Sequence, residues 1–225
     1  MLNRKRLRFQ SSTLNVRHHR AHAGFTLAEL LVSMLLSSII MGGVYSVYRM
    51  QSHTMKIQEK RLDAQDYARS VLDMMVREIR NVGYFPVGAC TTSPVNTNGI
   101  ITASSQTFRF VYDSNAANGC ADADENITFA WDTSGCTGVL GNITRNGTSN
   151  PLTDCNVTSL DIRYFKQDGT ELSRPVTGAT NLSSIQRVQI TLTVQSKNPD
   201  SQFGGQQLNA TMTSNVDLRN RGLPS

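Results

Sequence analysis

The chain has 225 residues, of which 22 are Lys or Arg and 17 are Asp or Glu, giving a net charge of +5 and a pI near 9.2. The excess of positive charge lies in residues 1–24, which carry six basic residues and no acidic one, so that 22 − 6 = 16 basic residues face 17 acidic ones in the rest. A near-neutral remainder lacks the basic surface that nucleic-acid binding requires, and we predict no direct nucleic-acid binding. The length favours one domain with an appendage.

The placement of histidine argues against catalysis. Three of the four histidines lie in residues 1–24, and only His53 follows them. Catalytic arrangements of the Ser-His-Asp or Cys-His kind need an imidazole held in a pocket, whereas His53 comes shortly after a long apolar stretch. We therefore predict that the chain is not an enzyme and has no catalytic residue, no metal site and no cofactor.

The first element along the chain is an apolar stretch of 24 residues from Phe25 to Tyr48. This length is enough to cross the hydrocarbon core of a membrane, which is roughly 30 Å thick. A secretory signal peptide would have its small-residue cleavage site after the apolar core, whereas residues 21–24 precede it. An ordinary membrane anchor explains the length but not Glu29, because an ionisable residue inside a span is costly and usually functional. Since Lys and Arg that flank a span stay on the cytoplasmic side, we expect the N-terminus there.

The sequence GFTLAELLVSMLL, residues 24–36, resembles the amino terminus of type IV prepilins and the related pseudopilins. The resemblance implies that residues 1–24 are a cytoplasmic leader peptide, that prepilin peptidase cuts between Gly24 and Phe25, and that the new amino group of Phe25 is methylated. Glu29 matches the glutamate that marks this family, and we expect it to form an assembly salt bridge with the N-terminal ammonium of a neighbouring subunit. Residues 25–48 are then the transmembrane and assembly half of the N-terminal helix.

The helix is predicted to continue beyond the span. Apolar residues spaced three and four apart extend to Val82 and predict the amphipathic half of the same helix over residues 49–83. Gly83 suits a helix C-terminus, so the helix should run from about Phe25 to about Val82. Gly42 and Gly43 each weaken it by about 1 kcal/mol relative to alanine, and either close packing or local unwinding in a filament would account for them.

Residues 84–225 predict a periplasmic domain of antiparallel β-structure. Apolar residues alternate in five short runs, which are Thr107–Asp113, Asn126–Asp132, Val157–Lys166, Arg187–Ser196 and Gln207–Leu218. Such runs indicate an antiparallel sheet that is packed on one face, and the amphipathic helix would cover that face. Asp168-Gly169 predicts a tight hairpin turn. The predicted fold class is α+β, a long N-terminal helix packed on an antiparallel β-sheet domain as in pilins.

Four cysteines lie in this predicted domain, at Cys90, Cys120, Cys136 and Cys155, and their spacings fit no zinc motif. Disulfides persist outside the cytoplasm, and of the three possible pairings we favour Cys90–Cys120 with Cys136–Cys155. The acidic segment 122–126 begins like a calcium loop but lacks the required glycine and closing glutamate. We interpret that segment as a solvated loop.

Two further segments, residues 68–86 (ARSVLDMMVREIRNVGYFP) and 216–225 (VDLRNRGLPS), resemble PilW-type minor pilins, which are related to the J-type minor pseudopilin of type II secretion. The resemblance implies a minor subunit of a pilus tip or priming complex that promotes assembly for twitching, adhesion or DNA uptake. It implies as partners other minor and major pilins, the prepilin peptidase and methylase, the inner-membrane assembly platform, and membrane lipid before assembly. The expected location is the inner membrane, in a single pass with a cytoplasmic N-terminus and a periplasmic C-terminal domain, and then the pilus at the cell surface.

Two alternative functions stay open at this point. One is a minor pseudopilin of a type II secretion system, although the 24-residue leader is longer than such subunits usually have. The other is an exported adhesin or binding module in which residues 84–225 bind a ligand by themselves.

Overall fold

The computed structural model describes residues 24–85, 99–114, 125–196 and 207–219. Two compact units divide the chain, Met1–Met50 and Gln51–Ser225. The elements in chain order are α1 (Leu27–Ile79), β1 (Ile100–Ala103), β2 (Thr107–Val111), β3 (Asn126–Asp132), β4 (Asn142–Arg145), β5 (Val157–Phe165), α2 (Ala179–Ser183), β6 (Arg187–Gln195) and β7 (Asn209–Asp217).

The described part of the first unit is the amino-terminal half of α1. An 18-residue window of this helix has a mean hydropathy of 2.0 and is not buried, so α1 is long and apolar enough to cross a membrane. The helix passes without interruption through Gly42 and Gly43. A Cβ atom at either glycine would meet no other atom within 4 Å, so packing within the subunit does not require them.

The second unit contains two antiparallel sheets. Strands β1 to β4 form a four-stranded sheet in chain order, and β5, β6 and β7 form a three-stranded sheet, called here the second sheet. The prediction of a long helix on antiparallel strands in an α+β fold is confirmed. The strands lie in two sheets because β4 and β5 are joined only near their ends, by an isolated bridge between Gly141 and Val157.

The carboxy-terminal half of α1 packs its apolar face into the core of this unit. Its buried residues recur every three or four positions, which places them on one face of the helix; they are Ala64, Ala68, Val71, Leu72, Met75, Val76 and Ile79. They form one hydrophobic cluster with inward-facing residues of both sheets, among them the fully buried Phe108, Phe129 and Tyr164. A partly buried ion pair between Glu78 and Arg145 Nε (3.0 Å) ties the helix to β4.

The helix ends at Ile79, three residues before the predicted Val82. Its last turns tighten, with the N–H of Val82 donating to the carbonyl of Ile79 at 3.1 Å. Gly83 has φ 70° and donates to the carbonyl of Val111, which docks the helix end on β2. A Cβ atom added to Gly99, which also has positive φ, would clash with the backbone of Gly83, so this close approach needs glycine.

Two loop predictions had different outcomes. The turn at Asp168-Gly169 is present, and the Asp168 carboxylate accepts the N–H of Thr170 at 2.9 Å, but its second arm is only a bridge between Phe165 and Glu171. Strand β5 pairs along its length with β6 instead.

Residues 122–124 lie outside the described residues. The interpretation of this segment as solvated was wrong for Glu125, which is buried and accepts the N–H and hydroxyl of Ser114 at 2.7 and 2.6 Å.

Candidate functional site

The start of α1 carries the residues that the sequence singled out. Gly24, Phe25 and Thr26 precede the helix, and the Phe25 side chain is 89% exposed. A Cβ atom at Gly24 would meet no atom within 4 Å, so nothing within the described chain requires glycine there. Any requirement for Gly24 therefore comes from outside the described residues, as it would if a peptidase had to approach the backbone closely.

Thr26 and Glu29 form a capping box at the first turn of α1. The Thr26 N–H and the Thr26 hydroxyl both donate to Glu29 Oε2 at 3.0 Å, and the Glu29 N–H donates to Thr26 Oγ1 at 3.3 Å. The N–H of Leu30 donates to the Thr26 carbonyl at 3.2 Å, which closes the first helical turn. These bonds satisfy amide groups that a helix N-terminus otherwise leaves without partners, and the negative charge also favours the N-terminal end of the helix dipole.

From the sequence we expected Glu29 to pair with a neighbouring subunit and to favour the helix dipole in the first turn, but the bonds to Thr26 were not predicted. The signal was present, since threonine followed three residues later by glutamate before an apolar run is the pattern of a capping box. The bonds to Thr26 all engage Oε2, and the described residues donate no hydrogen bond to Oε1. One carboxylate oxygen therefore remains for a donor outside the described chain.

The helix surface next to this turn is apolar and exposed. Large side chains from Leu27 to Met50 are between 48% and 77% exposed. The hydroxyls of Ser33 and Ser38 donate to the carbonyls three residues before them, at 2.9 and 2.8 Å. Because these serines are satisfied by their own helix, they add no unsatisfied donor to the apolar surface. Such a surface suits either lipid or the apolar helices of neighbouring subunits.

In the second unit, Cys136 is disulfide-bonded to Cys155, with Cα atoms 5.4 Å apart. The bond fixes the loop after β3 to the segment that leads into β5. The Tyr67 hydroxyl accepts the N–H of Asp154 at 2.9 Å, so the same segment is also attached to α1. This is one of the two pairings favoured from the sequence; Cys90 and Cys120 lie outside the described residues.

Buried and charged groups of β5 have shifted pKa values. Burial raises the pKa of Tyr164, whose hydroxyl donates to the carbonyl of Ser104 at 2.8 Å. Partial burial alone would raise the pKa of Asp161, but hydrogen bonds from Arg163 and Arg174 outweigh that effect and lower it. The two arginines also lie within 4 Å of Glu171. These contacts connect β5 to the segment 171–174.

The comparisons with known proteins agree with this geometry. The prokaryotic N-terminal methylation motif matches residues 19–45. Together with a long helix on antiparallel strands, this motif defines a type IV pilin-like protein. The profile of prepilin peptidase-dependent protein B matches residues 57–218, which is most of the chain, and the chain belongs to this family. Family membership implies processing by prepilin peptidase and association with pilins, so the predicted resemblance to type IV prepilins is confirmed at this level.

Among solved structures, the chain is similar to the type IV-like pilin TTHA1219 from Thermus thermophilus. The two share 13% identity with a TM-score of 0.42, over 69% of this chain and 96% of the other. No curated relative matches the chain by sequence.

Proposed function

We propose that the chain is a minor pilin, a structural subunit of a type IV pilus tip or priming complex that promotes pilus assembly. The observation that carries the proposal is the first turn of α1, where a carboxylate with one oxygen that accepts no bond from the described residues is held beside an exposed apolar helix surface. Residues 68–86 and 216–225 resemble PilW-type minor pilins. This narrower resemblance supports a minor rather than a major subunit.

The proposed assembly step joins Glu29 to a neighbouring subunit. Cleavage after Gly24 creates an ammonium group at Phe25, and the Phe25 amino group is then methylated. When apolar helices pack together, the Phe25 ammonium of one subunit lies in a poor dielectric and is stable only with an opposite charge as partner. The Glu29 carboxylate supplies that charge, and its Oε1 can accept a bond from the ammonium while Oε2 keeps the capping box closed.

The proposal assigns partners and location as follows. Prepilin peptidase processes the N-terminus, the assembly platform in the inner membrane inserts the subunit, and other minor and major pilins surround it. Before assembly α1 crosses the inner membrane once, with the N-terminus in the cytoplasm and residues 84–225 in the periplasm, and after assembly the subunit lies in the pilus. The role is structural and not enzymatic.

The test is to follow the protein into filaments. We expect a chain beginning at N-methylated Phe25 in sheared pili by mass spectrometry, and fewer pili when the gene is deleted. The processed chain could instead be confined to membranes, and the deletion strain could have normal pili but no type II secretion. These results would identify the chain as a minor pseudopilin of a secretion system instead of a pilus subunit. Normal pili and normal secretion, combined with ligand binding by the full chain, would instead support an adhesin.

A further inference from the structure

The outer edge of β7 is not paired with any described strand. β7 is the last strand of the second sheet, and it pairs with β6 in unbroken register over nine residues. The opposite edge of this sheet is closed by the chain itself, since Ile162 donates to the Ser105 carbonyl and Leu172 donates to the Tyr164 carbonyl, both at 2.8 Å. No backbone group of the described residues bonds to the outer edge of β7.

The register shows which groups are available. Ser196 donates to the Leu208 carbonyl, and Leu218 donates to the Gln186 carbonyl, each at 2.8 Å. In an antiparallel pair such bonds alternate along the strand, so the even-numbered residues of β7 bond to β6. The N–H and C=O groups of the alternate residues point away from the sheet; these residues are Asn209, Thr211, Thr213, Asn215 and Asp217.

Among the described residues, this edge has none of the features that usually block pairing. Natural sheets protect long edges with lysine, proline, a β-bulge or a covering segment. The sequence of β7, NATMTSNVD, contains neither lysine nor proline, and its pairing with β6 has no bulge. A regular edge of this length is a template for one more strand.

The chemistry of the edge indicates the kind of partner. On the outer face, the hydroxyls of Thr211 and Thr213 are 3.0 Å from those of Thr193 and Thr191, so the side chains are already engaged and recognition falls to the backbone. The only charged residue of β7, Asp217, is paired with Arg187. A row of outward N–H and C=O groups repeating about every 6.8 Å fits an extended backbone, and a neutral edge favours a neutral strand.

We infer that the outer edge of β7 binds an uncharged strand of another pilin subunit that has one apolar face. The apolar face would pack beside Met212, which is only partly buried at the inner side of the edge. The inference rests on the proposed function, because a filament or tip complex is what brings a second subunit to this edge. It assigns to β7 the lateral contact between the globular domains.

Residue-level amide exchange tests the inference on the full chain. The samples are the processed chain alone in detergent micelles and the complex that co-purifies with pilins from pilus-assembling cells. We expect the amides of Thr211, Thr213 and Asn215 to exchange at least about tenfold more slowly in the complex, while those of Met212 and Ser214 are slow in both. Equal exchange of the outward amides in a pilin-containing complex would overturn the inference and leave the proposed function standing. Failure to co-purify with any pilin would overturn both, and protection that rises with the concentration of the chain alone would show that the partner is a second copy.

A pair of substitutions at Thr213 separates the backbone from the side chain. Thr213→Pro removes an N–H that points away from β6, and proline is tolerated at such an edge position. Thr213→Ala removes the side-chain contact with Thr191 and keeps that N–H. We expect recovery of pilins with the proline variant to fall at least about tenfold, and recovery with the alanine variant to stay near wild type. Equal recovery with both, in samples whose Cys136–Cys155 bond is intact, would contradict pairing at this edge.

Discussion

Substitutions at Thr26 and Glu29 can separate the observed capping role of the first turn of α1 from the proposed pairing of Glu29 with a neighbouring subunit. Glu29→Gln removes the charge but leaves an amide oxygen that accepts both bonds from Thr26, because glutamine also forms capping boxes. Thr26→Ala removes the hydroxyl that accepts the Glu29 N–H and keeps the charge. The two variants therefore damage different roles at the same turn.

The size of each effect follows from the contacts. Loss of a threonine N-cap costs about 1 kcal/mol, which corresponds to roughly a fivefold change in any equilibrium that requires the formed turn. Thr26→Ala should therefore reduce incorporation into filaments by about fivefold or less. Glu29→Gln leaves the Phe25 ammonium of the neighbour without its partner in a poor dielectric, so it should reduce incorporation by more than Thr26→Ala does.

The assay is an immunoblot of membrane and sheared-filament fractions, with N-terminal mass spectrometry to show that each variant is cleaved and methylated. Both variants should be present in membranes at wild-type levels, since removal of the Glu29 charge makes insertion easier. Thr26→Ser is the matched control, because serine also caps helices, and it should behave as wild type. If Glu29→Gln enters filaments as well as wild type, or if Thr26→Ala is depleted as strongly, the carboxylate acts only as a cap.

Three other outcomes follow from the structure. Gly24→Val should block cleavage without affecting the fold, and N-terminal sequencing that finds normal cleavage would contradict the assigned site. Replacing Cys136 and Cys155 together by serine should lower the free energy of unfolding in urea by about 3 kcal/mol, and an unchanged midpoint would show that the bond is dispensable. Tyr164→Phe should lower stability by about 1 kcal/mol near neutral pH through the lost hydrogen bond. Because burial raises the folded-state pKa of Tyr164, the wild-type advantage should be complete below pH 10 and shrink above it, and a gap that does not change with pH would refute this assignment.

The sequence predicted the elements whose signals are local and strong. The alternation of Ile127, Phe129 and Trp131 gave β3 with its observed ends, Asn126 and Asp132. The three-and-four spacing of apolar residues predicted the inner face of α1 to within three residues of its end. In both cases the spacing of apolar residues in the sequence matches the spacing of side chains that face the core. The packing could therefore be predicted from the pattern.

Other features depend on contacts between distant residues and left no local signal. Strands β1 and β4 have four residues each, too few to show alternation, and they exist because β2 and β3 offer them edges. The buried Glu125 accepts a bond from Ser114, eleven residues earlier, and acidic residues in a polar segment give no hint of this contact. The strands divide into two sheets because β4 and β5 do not pair along their length. No single segment of the sequence shows whether two strands will pair.

In the proposed assembly, the first turn of α1 is the part of the apolar helix that can fix its position beside a neighbouring subunit. Lipid tails and neighbouring apolar helices offer similar surroundings, so apolar side chains alone do not fix the position of one subunit along another. Ser33 and Ser38 cannot fix it either, because their hydroxyls are bonded to their own helix. Glu29 is the only charged residue between Phe25 and Tyr48, and its Oε1 accepts no hydrogen bond from the described residues. We therefore expect the axial register between subunits to depend on Glu29. The length of the membrane-spanning helix should depend on the apolar side chains. Apolar substitutions should then weaken membrane anchoring without changing the register.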